Sequence, residues 1–296
     1  MSRAQAHNQK PYVHASLKSQ SAMEYLLTYG WAILIIVAVL VSMFSLGVFN
    51  ATEPKAQPGA CHVYKSVEGA SNIGECQGIW PEFVAEFDGS STISIPANNL
   101  PTGNTPRTIT AWIDPNNEAG NRGIFYYGGV NCQPNGAIFG LILSSSNLYL
   151  WGSCDDVSST QTLPTGVWSF IAVNYTGSKE TLFYNGKEIS PPNGYTSYAC
   201  NSAECTSAYI GGQPGWWGGL FSGSMANVQI YNTSLSQAEI AALYQEGIGG
   251  APIDPNHIIG WWPLNGNAQD YSGSNDNGQA VNVAYNSTWE SAYAQP

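Results

Sequence analysis

Charge is scarce in this chain. Of 296 residues only 10% are Asp, Glu, Lys or Arg, and just nine of those are basic against 20 acidic. So few cations cannot line a groove that neutralises a run of phosphates, which excludes nucleic acid as a partner. Histidine is equally sparse: His7, His14, His62 and His257 are scattered, and no Ser, His and Asp set can be picked out for nucleophilic catalysis. None of the six cysteines forms a Cys-x-x-Cys pair, so zinc is not expected. Over one stretch charge is missing altogether, from Glu24 to Glu53.

That stretch is dominated by Leu, Ile, Val, Ala, Phe and Met. As a single helix it would be about 42 Å long, more than the ~30 Å hydrocarbon core of a bilayer. It has no polar stripe at helical period, unlike a helix docked on a soluble core, and it exceeds the roughly 7 to 15 apolar residues of a secretory signal. The sequence therefore predicts a long hydrophobic helix over 20–50 that enters the membrane. Arg3, Lys10 and Lys18, with no acid among residues 1–19, put the basic flank on the cytoplasmic side and the acidic bulk outside.

The residues ahead of the run are Lys18-Ser-Gln20-Ser-Ala-Met-Glu24, and it opens Tyr25-Leu-Leu-Thr-Tyr-Gly30-Trp31. This resembles the class III signal peptide of archaeal type IV pilins, with Ser19 where glycine or alanine is usual and Ala22 where serine is common. The resemblance implies that residues 1–19 are a leader, removed by a prepilin peptidase between Ser19 and Gln20. It also implies that Glu24 pairs with the new ammonium of Gln20 in a neighbouring copy, or in another pilin, as helices leave the membrane and pack into a filament. An ordinary single-pass anchor explains the apolar run alone, with Glu24 a solvated carboxylate favoured by the helix dipole.

Beyond the run, Pro54, Pro58 and Gly59 mark a linker, and 51–82 reads as linker plus disulfide-closed neck. Cys61, Cys76, Cys132, Cys154, Cys200 and Cys205 all lie past the apolar segment, an even set suited to an oxidising compartment. Sequence allows fifteen connectivities; local order suggests Cys61 with Cys76, Cys132 with Cys154, and Cys200 with Cys205. From Phe83 the hydrophobic period becomes two. Strand candidates are 83–88, 92–96, 108–113, 123–127, 137–143, 148–151, 168–175, 180–184, 208–210 and 222–231, separated by turn residues as in a β-sandwich. Asn185-Gly186 signals a tight hairpin. Ser236 with Glu239 forms a capping box for one helix, and Gly247 lies just past its end.

Phe87-Asp-Gly89, Ile109-Thr-Ala-Trp112, Trp168-Ser-Phe-Ile-Ala-Val173, Leu182-Phe-Tyr-Asn-Gly-Lys187, Tyr209-Ile-Gly-Gly212, Phe221 to Tyr231 and Leu235 to Tyr244 together resemble the laminin-G-like, concanavalin A-like jelly rolls. The resemblance implies an all-β sandwich head over 83–296. Ile259 to Gly278 resembles the segment that usually opens such a domain, so 258–296 is expected to return and complete the sheet in circularly permuted order. It further implies a candidate Ca²⁺ site from Asp88, Asn227, Asp270, Asn275 and Asp276, with Asn227 where an acid is usual; an Asx-rich turn explains the loop as well.

Trp216 and Trp217, between Gly-Gln-Pro-Gly and Gly-Gly, are candidates to stack on a sugar ring, or to pack a loop against the core. Glu86 and Asp88 share one strand face at a spacing that jelly-roll glycosidases use, but the third carboxylate is missing, and the chain is not expected to be an enzyme. Asn50, Asn174, Asn232 and Asn286 begin N-glycosylation sequons, a number that composition alone supplies. The leading expectation is a pilin-like surface filament subunit whose head meets surfaces or glycans. The alternative is a membrane-anchored carbohydrate-binding surface protein that does not polymerise.

Overall fold

A computed structural model describes residues 27, 29–41, 63–65, 71–73, 80–97, 99–116, 120–128, 138–152, 157–189, 207–214, 218–294 and 296. The chain divides into two units, Met1–Lys55 and Ala56–Pro296.

In the first unit the described stretch of the helix expected over 20–50 is α1, residues 29–41, and most of the other positions in that range lie outside the described residues. Thirteen residues rise about 20 Å, short of a hydrocarbon core. Among the described residues no helix is long and apolar enough to cross a membrane. The side chains of α1 are nonetheless uncovered, with Trp31, Ile33, Leu34 and Ile35 all more than half exposed. Ser19, Gln20 and Glu24 lie outside the described residues.

In the second unit a short antiparallel hairpin, β1 (Val63–Lys65) with β2 (Ser71–Ile73), occupies the region expected to be a weakly patterned neck. All six cysteines, and with them the suggested pairings, lie outside the described residues. The rest is two packed sheets. The first runs β12 (Lys187–Glu188), β11 (Glu180–Tyr184), β10 (Ser169–Tyr175), β5 (Arg107–Pro115), β15 (Ser222–Tyr231), β3 (Val84–Asp88), β18 (Ala284–Asn286), with β16 (Ile258–Trp262) also on β15. The second runs β17 (Gln279–Val281), β4 (Thr92–Pro96), β13 (Ser207–Ile210), β6 (Asn121–Gly128), β7 (Ile138–Ser144), β8 (Asn147–Trp151), β9 (Val157–Thr162), with β14 (Gly219–Leu220) parallel to β6.

Period-two alternation sorts the side chains into layers. On β5, Ile109, Ala111 and Ile113 face the second sheet and share one apolar cluster with its Phe125, Leu141 and Ile210, to which β3 of their own sheet adds Phe87. The alternate face of the same sheet carries Trp112, Phe170, Ala172 and Trp261. Helix α2 (Gln237–Gln245) covers it with Ile240 and Leu243, started by the reciprocal Ser236–Glu239 capping box. The Asn185-Gly186 turn has positive φ at both residues, and a Cβ on Gly186 would crowd Ala241 and Tyr244 of that helix.

The C-terminal segment supplies three strands. β16 pairs with the second half of β15, end to end with β3 on its first half, while β17 and β18 extend the two sheets beside β4 and β3. Trp262 enters the space between the sheets and its indole N–H donates to Asp276 O at 3.0 Å.

The core also encloses a fully buried cation. Arg107 donates to the carbonyls of Pro101, Gly103 and Thr105 and to the Tyr127 hydroxyl. Its guanidinium carbon is 5.1 Å from the ring centre of Phe139 and 5.3 Å from that of Tyr175, within cation–π range.

Candidate functional site

The loop that carries Trp216 and Trp217 leaves the sandwich where β13 ends and β6 begins. Both strands must come unusually close there. Gly211 and Gly212 take φ of +86° and +98°, a Cβ on Gly211 would sit 2.5 Å from the Phe87 ring, and one on Gly123 would sit 2.5 Å from Gly212 Cα. Three hydrogen bonds fix the departing chain: Gly211 N–H to Ile124 O, Phe221 N–H to Gly211 O, and Thr92 Oγ1 to Gly212 O, all at 2.8 to 2.9 Å. Trp216 and Trp217 themselves lie outside the described residues, and the described loop resumes at Gly218.

Around this loop stand two polar groups that sequence reasoning did not single out. Arg122, opposite Leu143 on β7, is in register with Gly219 on β14. Its guanidinium lies so close over Gly219 that any Cβ there would collide with Nη1. Arg122 Nε and Gln213 Oε1 are both buried, and neither has a hydrogen-bond partner. Among the described residues no carboxylate forms an ion pair with Arg122; the pairs present are Lys179 with Glu188 and His257 with Asp254. The signal for this arrangement was the glycine run around the tryptophans, since only glycine lets a guanidinium lie against the backbone.

The five candidate calcium ligands are not brought together. Asp88 sits opposite Ser222, five residues along β15 from Asn227, a separation of roughly 15 Å. Two ligands of one Ca²⁺, each 2.3–2.6 Å from the ion, can be no more than about 5 Å apart. Asn227 is buried, with Nδ2 donating to Gly250 O and Oδ1 accepting from Gln229 Nε2 and the Trp261 indole. Asp270 is spent as a turn former: Oδ1 accepts from the N–H groups of Trp261 and Ser272, Oδ2 from Ser272 Oγ and the Asp276 N–H, all within 3.0 Å. Asn275 supplies a positive φ, and Asp276 accepts from Asn99 Nδ2. Among the described residues no three His, Cys, Asp or Glu side chains are placed to hold a metal. The residues present fit a hydrogen-bonded Asx turn, not a calcium sphere.

Asp88 likewise caps its own turn, accepting from Ser90 N–H, Ser90 Oγ and Ser91 Oγ. The Ser91 and Ser90 hydrogen bonds hold its carboxyl down to about 2, below the usual 3.8. A depressed pKa contributes stability that is present above the unfolded value and lost as pH falls from about 4 towards 2. Asp88→Asn is expected to flatten that segment of a stability-against-pH curve, followed by urea unfolding; an unchanged slope would show that the turn does not hold the carboxylate. Glu86, on the same face, accepts from Asn286 Nδ2 at 2.7 Å.

The sequons divide by burial. Asn174 is 7% exposed, its Nδ2 donating to Leu235 O at 2.8 Å and its Oδ1 accepting from Thr108 Oγ1. Asn286 is half-buried on Glu86, Asn232 is exposed, and Asn50 lies outside the described residues. Peptide mass spectrometry of the native protein is expected to find Asn174 unmodified in every molecule and any glycan on 174–286 at Asn232; a glycan on Asn174 would contradict the buried network.

Two facing sheets, an outer helix capped by Ser236 and the Phe87-Asp88-Gly89 opening find their match in a family model aligned over residues 87–241, just over half the chain: the concanavalin A-like lectin/glucanases superfamily. The chain belongs to this superfamily. Among solved structures it is similar to a protein of Bacteroides ovatus to which carbohydrate binding is ascribed, with 18% identity, a TM-score of 0.54, and 73% of this chain and 64% of that one covered. The chain thus spans less than two thirds of that protein's length. It is also similar to a heptameric SAP-like pentraxin of Limulus polyphemus, at 15% identity, a TM-score of 0.49, and coverage of 70% and 95%. No curated protein matches the sequence. At these identities the likeness speaks for the superfamily's fold alone.

Proposed function

We propose that this chain is a non-catalytic carbohydrate-binding surface protein, contacting glycans at the sandwich end from which the Trp216–Trp217 loop emerges. The observation that carries the reading is the superfamily match over residues 87–241. It is supported by the unsatisfied donor and acceptor beside the loop and by the carbohydrate binding ascribed to the Bacteroides ovatus protein of like fold. Asp88, tied down in its turn and held acidic, is a poor general acid, and Glu86 has no third carboxylate beside it on β3. A glycan array probed with the full chain in detergent tests the reading: binding that Trp216→Ala with Trp217→Ala removes supports it, and silence across neutral and acidic glycans overturns it.

A second reading concerns the N-terminal unit. The Lys18 to Glu24 motif favours leader removal between Ser19 and Gln20, with packing of the exposed apolar α1 against sister helices in a pilin-like filament. Without packing, the same segment serves as a lipid anchor, in keeping with a surface location. Mass spectrometry of the mature N-terminus separates the two: a chain beginning at Gln20 supports processing, one beginning at Met1 ends that case and leaves the anchor.

A further inference from the structure

We propose that the Trp80 indole is a second saccharide contact, which takes a neutral pyranose ring by stacking on its C–H face. The inference rests on the carbohydrate reading above and goes beyond it, since no part of this contact involves the Trp216–Trp217 loop.

Trp112, Trp151, Trp168, Trp261, Trp262 and Trp289 are each 6% exposed or less. Trp80 is the exception among the described tryptophans of the second unit, at 39%. The ring is nonetheless held in place. It stacks on Trp289, with centroids 5.7 Å apart and planes at 27°, and meets Tyr293 edge to face at 5.2 Å and 88°. Both supports are themselves anchored. Trp289 opens the short 3₁₀ helix Trp289–Ala292, donates its indole N–H to Pro81 O at 3.1 Å, next in the chain to Trp80, and packs against Trp168. Tyr293 meets Trp112 at 5.4 Å, and its hydroxyl accepts from the Ile248 N–H at 3.1 Å. One face of Trp80 is thus taken by Trp289 and the tilt of the ring is set before any ligand arrives, so stacking on the other face carries little ordering cost.

The size and charge of the surroundings decide the occupant. At 39% exposure, on the order of 100 Å² of the ring faces water, against about 800 Å² per partner in a stable protein interface. Among the described residues of the second unit, the other exposed large apolar side chains are Val167 and Val281, too little to make up the difference. A folded partner therefore fits poorly. Glu82, Glu290 and Ser291 are exposed and lie within two residues of Trp80 or Trp289 in the chain, which gives the ring a polar, acidic rim. That rim repels an anionic lipid surface and an acidic sugar alike. It suits hydroxyl donors, because an ionised carboxylate only accepts. A neutral pyranose supplies both halves, an apolar C–H face for the indole and hydroxyls for the carboxylates.

The test is hydroxyl-radical footprinting of the full chain in detergent, read by peptide mass spectrometry. It is run on the free chain, with a β-1,4-linked glucose oligosaccharide at millimolar concentration, and with a galacturonic acid oligosaccharide as the acidic counterpart. Trp80 is expected to oxidise faster than the buried tryptophans in the free chain. The glucose oligosaccharide should slow it about threefold or more, as occupancy above roughly two thirds requires, and the acidic one should not. Protection should persist in a chain carrying Trp216→Ala and Trp217→Ala. In that background Trp80→Ala should weaken calorimetric binding of the glucose oligosaccharide by roughly twofold to tenfold, the range for one aromatic contact. The footprint leaves Trp80 unaltered, so a Trp80→Ala chain that fails to fold does not spoil the result. Unchanged oxidation of Trp80, equal protection by both saccharides, or protection lost with Trp216→Ala and Trp217→Ala overturns this inference, and the carbohydrate reading then stands on its glycan array alone. No protection of either Trp80 or the Trp216–Trp217 peptide, together with a silent array, removes both.

Discussion

A chain ending at Asn256 is expected to lose cooperative unfolding of the head entirely. The missing segment holds β16, β17 and β18, which pair with β15, β4 and β3, so its removal opens edges in both sheets. It also empties both apolar layers: Trp262 and Leu264 leave the space between the sheets, and Ile258, Trp261 and Trp289 leave the outer layer under α2. Truncating one buried tryptophan to alanine typically costs about 3–5 kcal/mol, so three of them alone amount to roughly 10 kcal/mol, comparable with the whole stability of an ordinary domain. Near-ultraviolet circular dichroism on heating checks this. A truncated chain that keeps a sharp transition would mean that the described pairings contribute little.

Arg107→Met should destabilise the head by about 4 kcal/mol, an effect of the size seen when one partner of a buried charged group is removed. The methionine fills much of the volume among Tyr127, Phe139 and Tyr175, so the loss comes from elsewhere. The carbonyls of Pro101, Gly103 and Thr105 converge on the guanidinium; without it the part-buried Gly103 and Thr105 carbonyls lose their donor and the buried Pro101 carbonyl keeps only the Tyr127 hydroxyl, each loss costing up to about 1–3 kcal/mol before relaxation. Arg107→Lys keeps the charge but cannot reach three diverging carbonyls from one nitrogen, and should fall between the two. Urea titration at neutral pH gives the comparison. A Met variant within 1 kcal/mol of the parent would show that the loop 101–105 rearranges freely around the gap.

Much of the fold was legible because the relevant signals are local. β3, β4, β5, β10, β11 and β15 follow period-two alternation, and the Ser236–Glu239 box and the Asn185-Gly186 turn work through neighbours only a few residues away. β9, with its run of Ser and Thr, gave no apolar alternation, and β17 and β18 are three residues each, too short for a period to register. Arg107 and Arg122 were invisible for another reason. An arginine after Pro106 or Asn121 reads as surface charge, and only the approach of distant segments decides that one is sealed in and the other left with an unmet donor.

The calcium expectation shows the same division. Asp270, Asn275 and Asp276 were rightly seen as a polar loop, but whether a carboxylate oxygen is free for a metal depends on which N–H groups reach it. Here the backbone of Trp261, Ser272 and Asp276 does. Alternation, caps and turns, each set within a few residues, were determined by the sequence alone: an all-β sandwich with one covering helix, behind an apolar N-terminal run. Tertiary structure decided which polar atoms keep an unused bond. That depends on groups far apart in the chain, because a hydrogen bond is lost or made over a few tenths of an ångström that no local pattern encodes.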